Sequence, residues 1–170
     1  MALTIDKRIN NTLILSLGGN VGDVKALFIK AISRVEEELG TIVKKSSLYA
    51  TAAWGVENQP DFLNQILEIE TEYKPEKCLE LILALEIELG RIRTGKKWGE
   101  RVIDIDILFY GSEIIDSPHL KIPHPFIQDR NFILIPLAEI CSDLIHPQLD
   151  RLISVLKNEC NDPLEVTKVF

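Results

Sequence analysis

The stretch TLILSLGGNVGDVKALFIKAISRVEEELG, residues 12–40, decides the fold. Thr12 to Leu17 form a short apolar run that stops at Gly18-Gly19-Asn20, the pattern of a strand running into a turn. Asp23 can then cap a helix, and Val24, Leu27, Phe28, Ala31, Ile32, Val35 and Leu39 recur at helical spacing until Gly40 stops it. Working outward, Thr41 to Thr51 reads as a second strand, Ala52 to Pro60 as a polar loop, and Phe62 to Thr71 as a third strand. Pro75 opens a second helix that ends at Gly90 and is apolar on more than one side, as suits a helix lying across a sheet and under a loop. Arg91 to Glu100 has no period and predicts a long loop before a fourth strand, Ile103 to Tyr110. Gly111-Ser112 then turns into a short hairpin arm, Glu113 to Ile115. Arg130 to Ile140 predicts a helix broken near Pro136, and Leu149 to Asn158 a last amphipathic helix. Two interleaved β-α-β units in this order give a ferredoxin-like α+β sandwich: a mainly antiparallel sheet, helices on one face, and C-terminal helical additions. No repeat or linker interrupts residues 1–170, which read as a single domain.

Composition narrows the class. The 170 residues are 46% hydrophobic and 26% charged, the mix of a folded domain that needs no metal or disulfide staple. Acidic residues exceed basic ones by 26 to 19, which excludes a general nucleic-acid binder. Cys78, Cys141 and Cys160 form no CxxC pair and read as free thiols in a reducing compartment. The N-terminal residues before Thr12 hold no apolar signal core, and no apolar run approaches the ~20 residues of a membrane span. The expectation is a cytoplasmic protein without a membrane partner.

Chemistry concentrates in one region. Asp104 and Asp106 lie two residues apart in the fourth strand, so both carboxylates point to one face while Ile103, Ile105 and Ile107 take the other. Like charges held together call for a cation, and oxygen-only ligands suit Mg²⁺. Alone, such a pair reads more readily as a solvated strand face. The adjoining loop shifts the balance: Arg91, Arg93, Lys96, Lys97 and Arg101 stand there against Glu100 alone. Arginine forks and Mg²⁺ together form a clamp for a polyphosphate in transfer. Trp98, at the centre of this island, either closes over a flat ligand or folds back onto the core. Glu86 lies on an apolar helix face among Ile82, Leu83, Leu89 and Gly90, and a structural and a ligand-facing role weigh evenly. The turn from Gly18 to Asp23 lacks the P-loop lysine and favours a structural role. His119, His124 and His146 sit beside prolines as turn residues, with His124 the best functional candidate.

Four segments carry a resemblance: SLGGNVGD at 16–23, SSLYATAAWGVENQPDFLN at 46–64, LGRIRTGKKWGERVIDIDILFYG at 89–111, and PHPFIQDRNFILIPLAEI at 123–140. Together they resemble the 6-hydroxymethyl-7,8-dihydropterin pyrophosphokinase family of folate biosynthesis. The resemblance implies transfer of pyrophosphate from MgATP to the hydroxymethyl oxygen of the dihydropterin, releasing AMP. It implies that Asp104 and Asp106 hold two Mg²⁺ ions, that Arg93 and Arg101 grip phosphates, and that Arg91 supports the loop or catalysis. Phe62 and Phe132 would sandwich the pterin, with Asn64, Thr51 and the backbone of Ala53 and Trp54 on its polar edge. Trp98 would close over the ligands; Lys121, His124 and Arg130 would reach the ATP, with Glu86 and Ile107 on the nucleotide side. Residues 52–60 and 91–100 would be lids. A monomer is expected. The sequence departs from the family pattern at Gly19, at Ala52-Ala53 where many members carry proline, and at Leu83, His119 and Lys121 near the adenosine end.

Two other classes compete. A polymerase-type nucleotidyltransferase also joins a Gly-rich turn to a strand-borne acidic pair, but there the two are close in sequence, unlike Gly19 and Asp104 here. A non-catalytic ferredoxin-like binding module gives no reason for arginines beside paired aspartates.

Overall fold

In a computed structural model that describes residues 11–52, 60–91 and 102–170, the strand-helix-strand-strand-helix-strand plan is present. It comprises β1 (Asn11–Gly19), α1 (Val24–Glu38), β2 (Thr41–Lys45), β3 (Leu48–Thr51), β4 (Phe62–Thr71), α2 (Pro75–Glu88) and β5 (Asp104–Tyr110). After it come β6 (Ile115–Asp116), β7 (Lys121–Ile122), α3 (Asn131–Cys141), β8 (Ile145–His146), β9 (Arg151–Leu152), α4 (Ile153–Glu159) and β10 (Val166–Val169). The main sheet runs β10-β3-β4-β1-β5, with β2 also on β4, and all its pairs are antiparallel. Counting β2 and β3 as one bent strand, this is the ferredoxin-like order. No described helix is long and apolar enough to cross a membrane.

Local chemistry explains the boundaries. The Asp23 side chain accepts the Ala26 N–H at 3.0 Å and caps α1, while Pro75 occupies the first turn of α2, where a missing N–H costs nothing. Gly40 ends the α1 connection with φ +144, and a Cβ there would lie 2.1 Å from the Glu70 carbonyl oxygen.

The helices of the two β-α-β units lie on one face as expected, and the C-terminal additions, whose place the sequence left open, lie on the other. α1 and α2 cover one face, packing Phe28, Val35, Ile82 and Leu85 on Leu13, Leu15, Leu17, Leu67, Ile105 and Ile107. The other face is apolar too: Ile14, Ile66, Leu108 and Phe109 form a second core with Ile133, Leu134 and Leu137 of α3 and Ile153 and Leu156 of α4. Each fully buried Leu or Ile contributes about 1.5–3 kcal/mol, so an apolar patch of this size could not stay uncovered. A β-bulge shapes it. Ile14 faces Phe109 and Leu15 faces Ile107, leaving Leu108 as an extra residue. Alternation therefore slips once, and Leu108 and Phe109 both enter the second core while Tyr110 returns to the first.

Other differences from the sequence reading also have physical causes. The second strand breaks at Ser46-Ser47, because the Ser46 hydroxyl accepts the Ile66 N–H at 2.9 Å and Glu139 of α3 draws Ser47 out of the ladder. α3 runs unbroken through Pro136, which lies buried and forfeits only the bond to the Phe132 carbonyl in the first turn. The arm after Gly111 pairs forward onto β7 rather than back onto β5. α4 starts at Ile153, since Arg151-Leu152 pair with β8 instead. β10, unforeseen, extends the sheet beyond β3.

Gly40→Ala is expected to cost about 2 kcal/mol or more in urea unfolding, because a methyl group there meets backbone. Gly111→Ala, at φ +51 with open space around it, should cost about half as much.

Candidate active site

β5 is the edge strand of the sheet, and it carries Asp104 and Asp106 opposite Gly18 and Ser16 of β1. Ile103, Ile105 and Ile107 are buried in the core under α1 and α2, so the two carboxylates face the other way, toward the side that α3 covers. An edge strand leaves alternate N–H groups unpaired. Glu86, on α2 and 1% exposed, answers one of them: its Oε1 accepts the Ile105 N–H at 2.7 Å. The Ile107 side chain is likewise in the core, so what it can offer a ligand is its backbone at the same open edge.

Arg91, at the end of α2, joins the acids. Its Nη1 donates to Glu86 and lies 2.7 Å from Asp104 Oδ1. Burial works to lower the Arg91 pKa, but the Asp104 and Glu86 carboxylates outweigh it and hold the guanidinium above its ordinary value. The Glu86 carboxyl is pushed up by burial, against the pull of Ile105 N–H and Arg91. Its second oxygen is buried without a hydrogen-bond partner among the described residues, which makes the ionised form costly. The even odds on Glu86 thus resolve toward structure: it secures both β5 and Arg91.

The histidine and aromatic groups come from the segment between β7 and α3. The His124 N–H donates to the Leu108 carbonyl at 3.0 Å, so the bulge in β5 anchors the turn that carries His124. Burial, then the Arg130 charge, lower the His124 pKa to about 4, although Asp104 opposes them. Arg130 stacks between two rings, its Cζ 5.0 Å from the Phe126 centroid and 5.8 Å from that of Phe132. Phe126 was not singled out from sequence; its place two residues after His124 in a Pro-rich turn was the available signal.

A second group gathers where β3 meets β4. Thr51 pairs with Phe62, and Asn64 donates from Nδ2 to Thr51 Oγ1 at 3.3 Å, both polar side chains being buried. Phe62 and Asn64 share the strand face of Ile66, which is the α3 side, and Phe132 stands in the first turn of α3. Asn20 donates to the Pro60 carbonyl at 3.2 Å and ties the Gly-rich turn to the start of β4. Gly19 approaches β5 closely, since a Cβ would lie 2.7 Å from the Val102 carbonyl oxygen. Lys121 lies apart from these groups on the exposed β6–β7 hairpin, paired with Asp116. Ala53, Trp54, Arg93, Trp98 and Arg101 lie outside the described residues, as does nearly all of both expected lids. A cavity of about 420 Å³ opens at the opposite end of the sheet, beside Thr12, Phe109 and Cys141; its Lys44 and Glu68 pair with each other at 2.9 Å.

A family model described as 7,8-dihydro-6-hydroxymethylpterin-pyrophosphokinase (HPPK) matches residues 14–142. The chain is 47% identical over 136 residues to the 2-amino-4-hydroxy-6-hydroxymethyldihydropteridine pyrophosphokinase of Aquifex aeolicus, covering 80% of this chain and 84% of that one. It is 37% identical over 147 residues to the protein of the same name from Haemophilus influenzae, covering 86% and 91%. Among solved structures it is similar in fold to a Plasmodium falciparum HPPK-DHPS, with a TM-score of 0.73 at 18% identity. That likeness covers 89% of this chain but 43% of the longer one.

His124 should titrate near pH 4 by NMR. Its folded pKa lies below the ordinary 6.5, so the unfolded chain binds more protons between these values. The stability it contributes is whole above pH 6.5 and is lost as pH falls toward 4. Burial lowers the His146 pKa with the same sign. In urea unfolding at pH 7 and pH 5, His124→Gln should shrink the difference between the two by about 1–2 kcal/mol.

Proposed function

The chain belongs to the 7,8-dihydro-6-hydroxymethylpterin-pyrophosphokinase family and is an ATP-dependent pyrophosphokinase of folate biosynthesis, and on that premise we propose that Asp104 and Asp106 are the carboxylates on which its nucleotide is presented. The observation that carries the reading is their shared face on β5, beside Arg91, with Asp104 close enough to His124 to act on its titration. Their donor chemistry fits a hard divalent cation: oxygen atoms only, on one rigid strand. Among the described residues no group of three or more His, Cys, Asp or Glu gathers there, so phosphate oxygens would complete the coordination shell. Two Mg²⁺ ions held by Asp104 and Asp106 would neutralise the phosphates and stabilise charge on the transferring group.

The reaction forms a bond from the pterin hydroxymethyl oxygen to the β-phosphorus of ATP. The bond from that phosphorus to the oxygen bridging the α-phosphate breaks, AMP leaves, and the hydroxyl proton is released. The protein's own part is positioning and charge. Arg93 and Arg101 bind phosphates in this reading, and Arg101 stabilises the charge that develops during transfer. Arg91 acts indirectly by balancing Asp104 and Glu86. His124, neutral above about pH 4, can donate one hydrogen bond to a phosphate, and Arg130 can bring a full charge to it. Trp98 and the Ile107 backbone would complete the nucleotide side; Glu86 serves it only by holding Arg91 and β5, and Lys121 would have to leave Asp116 to reach it.

The pterin is assigned to the space between β4 and α3. Phe62 and Phe132 would stack on its two faces, which suits a flat, electron-poor bicycle. Asn64 offers a donor and an acceptor to its amide-like edge, with Thr51 and the backbone of Ala53 and Trp54 alongside; leaving that edge unpaired would be costly. Closure of residues 52–60 and 91–100 would exclude water from the transfer. The described residues share one main sheet, which supports a single pyrophosphokinase domain.

Incubation with ATP, Mg²⁺ and the dihydropterin should yield AMP, read by chromatography. Asp104→Ala and Asp106→Ala should each lower that rate by about 100-fold or more, and an unchanged rate in both would refute the assignment. Arg101→Ala should lower kcat about 100-fold while KM moves little. Phe132→Ala should instead weaken pterin binding about tenfold, measured by calorimetry with a nonhydrolysable ATP analogue.

A further inference from the structure

The amino end of α3 is capped from a distance. Arg130, at the N-cap position, makes no side-chain capping bond. Asp162 supplies one instead: its Oδ2 accepts the Asn131 N–H at 2.9 Å, and its carbonyl accepts Asn131 Nδ2, also at 2.9 Å. The other carboxylate oxygen takes the Leu164 N–H at 3.0 Å, which turns the chain toward β10. A carboxylate suits that position, where the first N–H groups of a helix are unpaired and the helix dipole is positive.

The same short segment then reaches the other wall of the pterin space. β10 runs antiparallel to β3, with Val166 opposite Thr51 and Val169 opposite Leu48. Lys168 closes the circuit by pairing with Glu139 of α3 at 3.2 Å, and Glu139 also holds the Ser47 N–H at 2.8 Å and the Tyr49 hydroxyl at 3.2 Å. The segment is thus bonded to α3 beside Arg130 and Phe132, and to β3 along Thr51. The family match ends at residue 142, so Asp162 and β10 lie outside it while the residues they hold lie within.

We propose that Asp162 is a positioning residue for the pterin site: it fixes the first turn of α3, and with it Phe132 and Arg130, relative to Thr51 and Asn64. The inference rests on the assignment of Phe132, Thr51 and Asn64 to the pterin made above. Residues 162–170 are half-buried or exposed and add no residue to either buried core. Their removal would therefore change the spacing of the site more than the stability of the fold. The two walls must hold a rigid ring at van der Waals distance on both faces, and a fraction of an ångström of drift in α3 loses contact over the whole ring.

The test measures binding of the dihydropterin by calorimetry with Mg²⁺ and a nonhydrolysable ATP analogue, together with kcat and KM. Asp162→Ala should raise the pterin Kd about tenfold, and KM should rise by more than kcat falls. Asp162→Asn keeps one acceptor for Asn131 and should restore most of the affinity. Removal of residues 162–170 should match or exceed the alanine variant; if that shortened chain folds poorly, the pair of point variants decides. Wild-type affinity in Asp162→Ala, with affinity lost in Phe132→Ala, overturns the inference and leaves the pterin assignment standing. Wild-type affinity in Phe132→Ala overturns the assignment itself, and the inference with it.

Discussion

Two negative charges on one face of an edge strand are the constraint around which the rest of this structure is arranged. Carboxylates on alternate residues have Cα atoms roughly 7 Å apart, and at an effective dielectric of about 20 their repulsion costs about 2 kcal/mol. The Arg91–Asp104 pair, at 2.7 Å, is much closer, so its attraction exceeds that repulsion. Arg91 is held in turn by Glu86, and Glu86 by the Ile105 N–H. The relay is closed on itself: the strand that carries the acids anchors the carboxylate that orients the arginine that tolerates them. Removing Arg91 would leave the buried Glu86 without its cation, and removing Glu86 would free the Ile105 N–H and loosen Arg91, which gives a glutamate on an otherwise apolar helix face its physical reason.

The bulge in β5 links this electrostatic arrangement to packing. Regular alternation would send Phe109 to the α1–α2 side; the extra residue instead puts Leu108 and Phe109 together under α3 and α4. That makes the second face apolar enough to bind the C-terminal helices, and those helices bring Phe132. The same irregularity turns out the Leu108 carbonyl, which receives the His124 N–H. One inserted residue thus sets both the core that carries α3 and the turn that carries His124.

What could be read from the sequence follows the range of the interactions involved. β1, α1, β4, α2 and β5 were legible because periodicity and caps are local: Asp23 bonds Ala26, and Pro75 needs no partner at all. The break at Ser46-Ser47 was not, because it depends on Ile66 and Glu139, which are distant in sequence. Pro136 was read as a breaker since its local cost is real, yet burial in the second core outweighs one lost bond. The Val166–Val169 strand alternates too briefly to be told from a tail, and only β3 gives it a partner. At the site, Asp104 and Asp106 were legible as like charges that call for a cation, and Arg91 as part of the basic island beside them; that Arg91 pairs with Asp104 and Glu86 was not. Phe126 and Asp162 were not, since a stacking ring and a distant cap have no periodic signature.

The charge arrangement also divides labour among the arginines. A chain with net charge −7 must still bind a polyanion, so its local cations cannot all be occupied by its own acids. Arg91 is occupied, by Glu86 and Asp104. Arg130 is held differently, between two aromatic rings, where the attraction is about 0.5–2 kcal/mol and, among the described residues, no carboxylate forms an ion pair with it. A guanidinium kept by π-faces retains its fork for a phosphate, while one kept by carboxylates does not. In the proposed reading this sorts Arg91 to the architecture of the acidic pair and Arg130 to the nucleotide. On that reading the aromatic neighbours of Arg130 would serve two ends: Phe132, which holds the arginine proposed to bind phosphate, would also present a face to the pterin, so that one side chain at the head of α3 would touch both substrate sites.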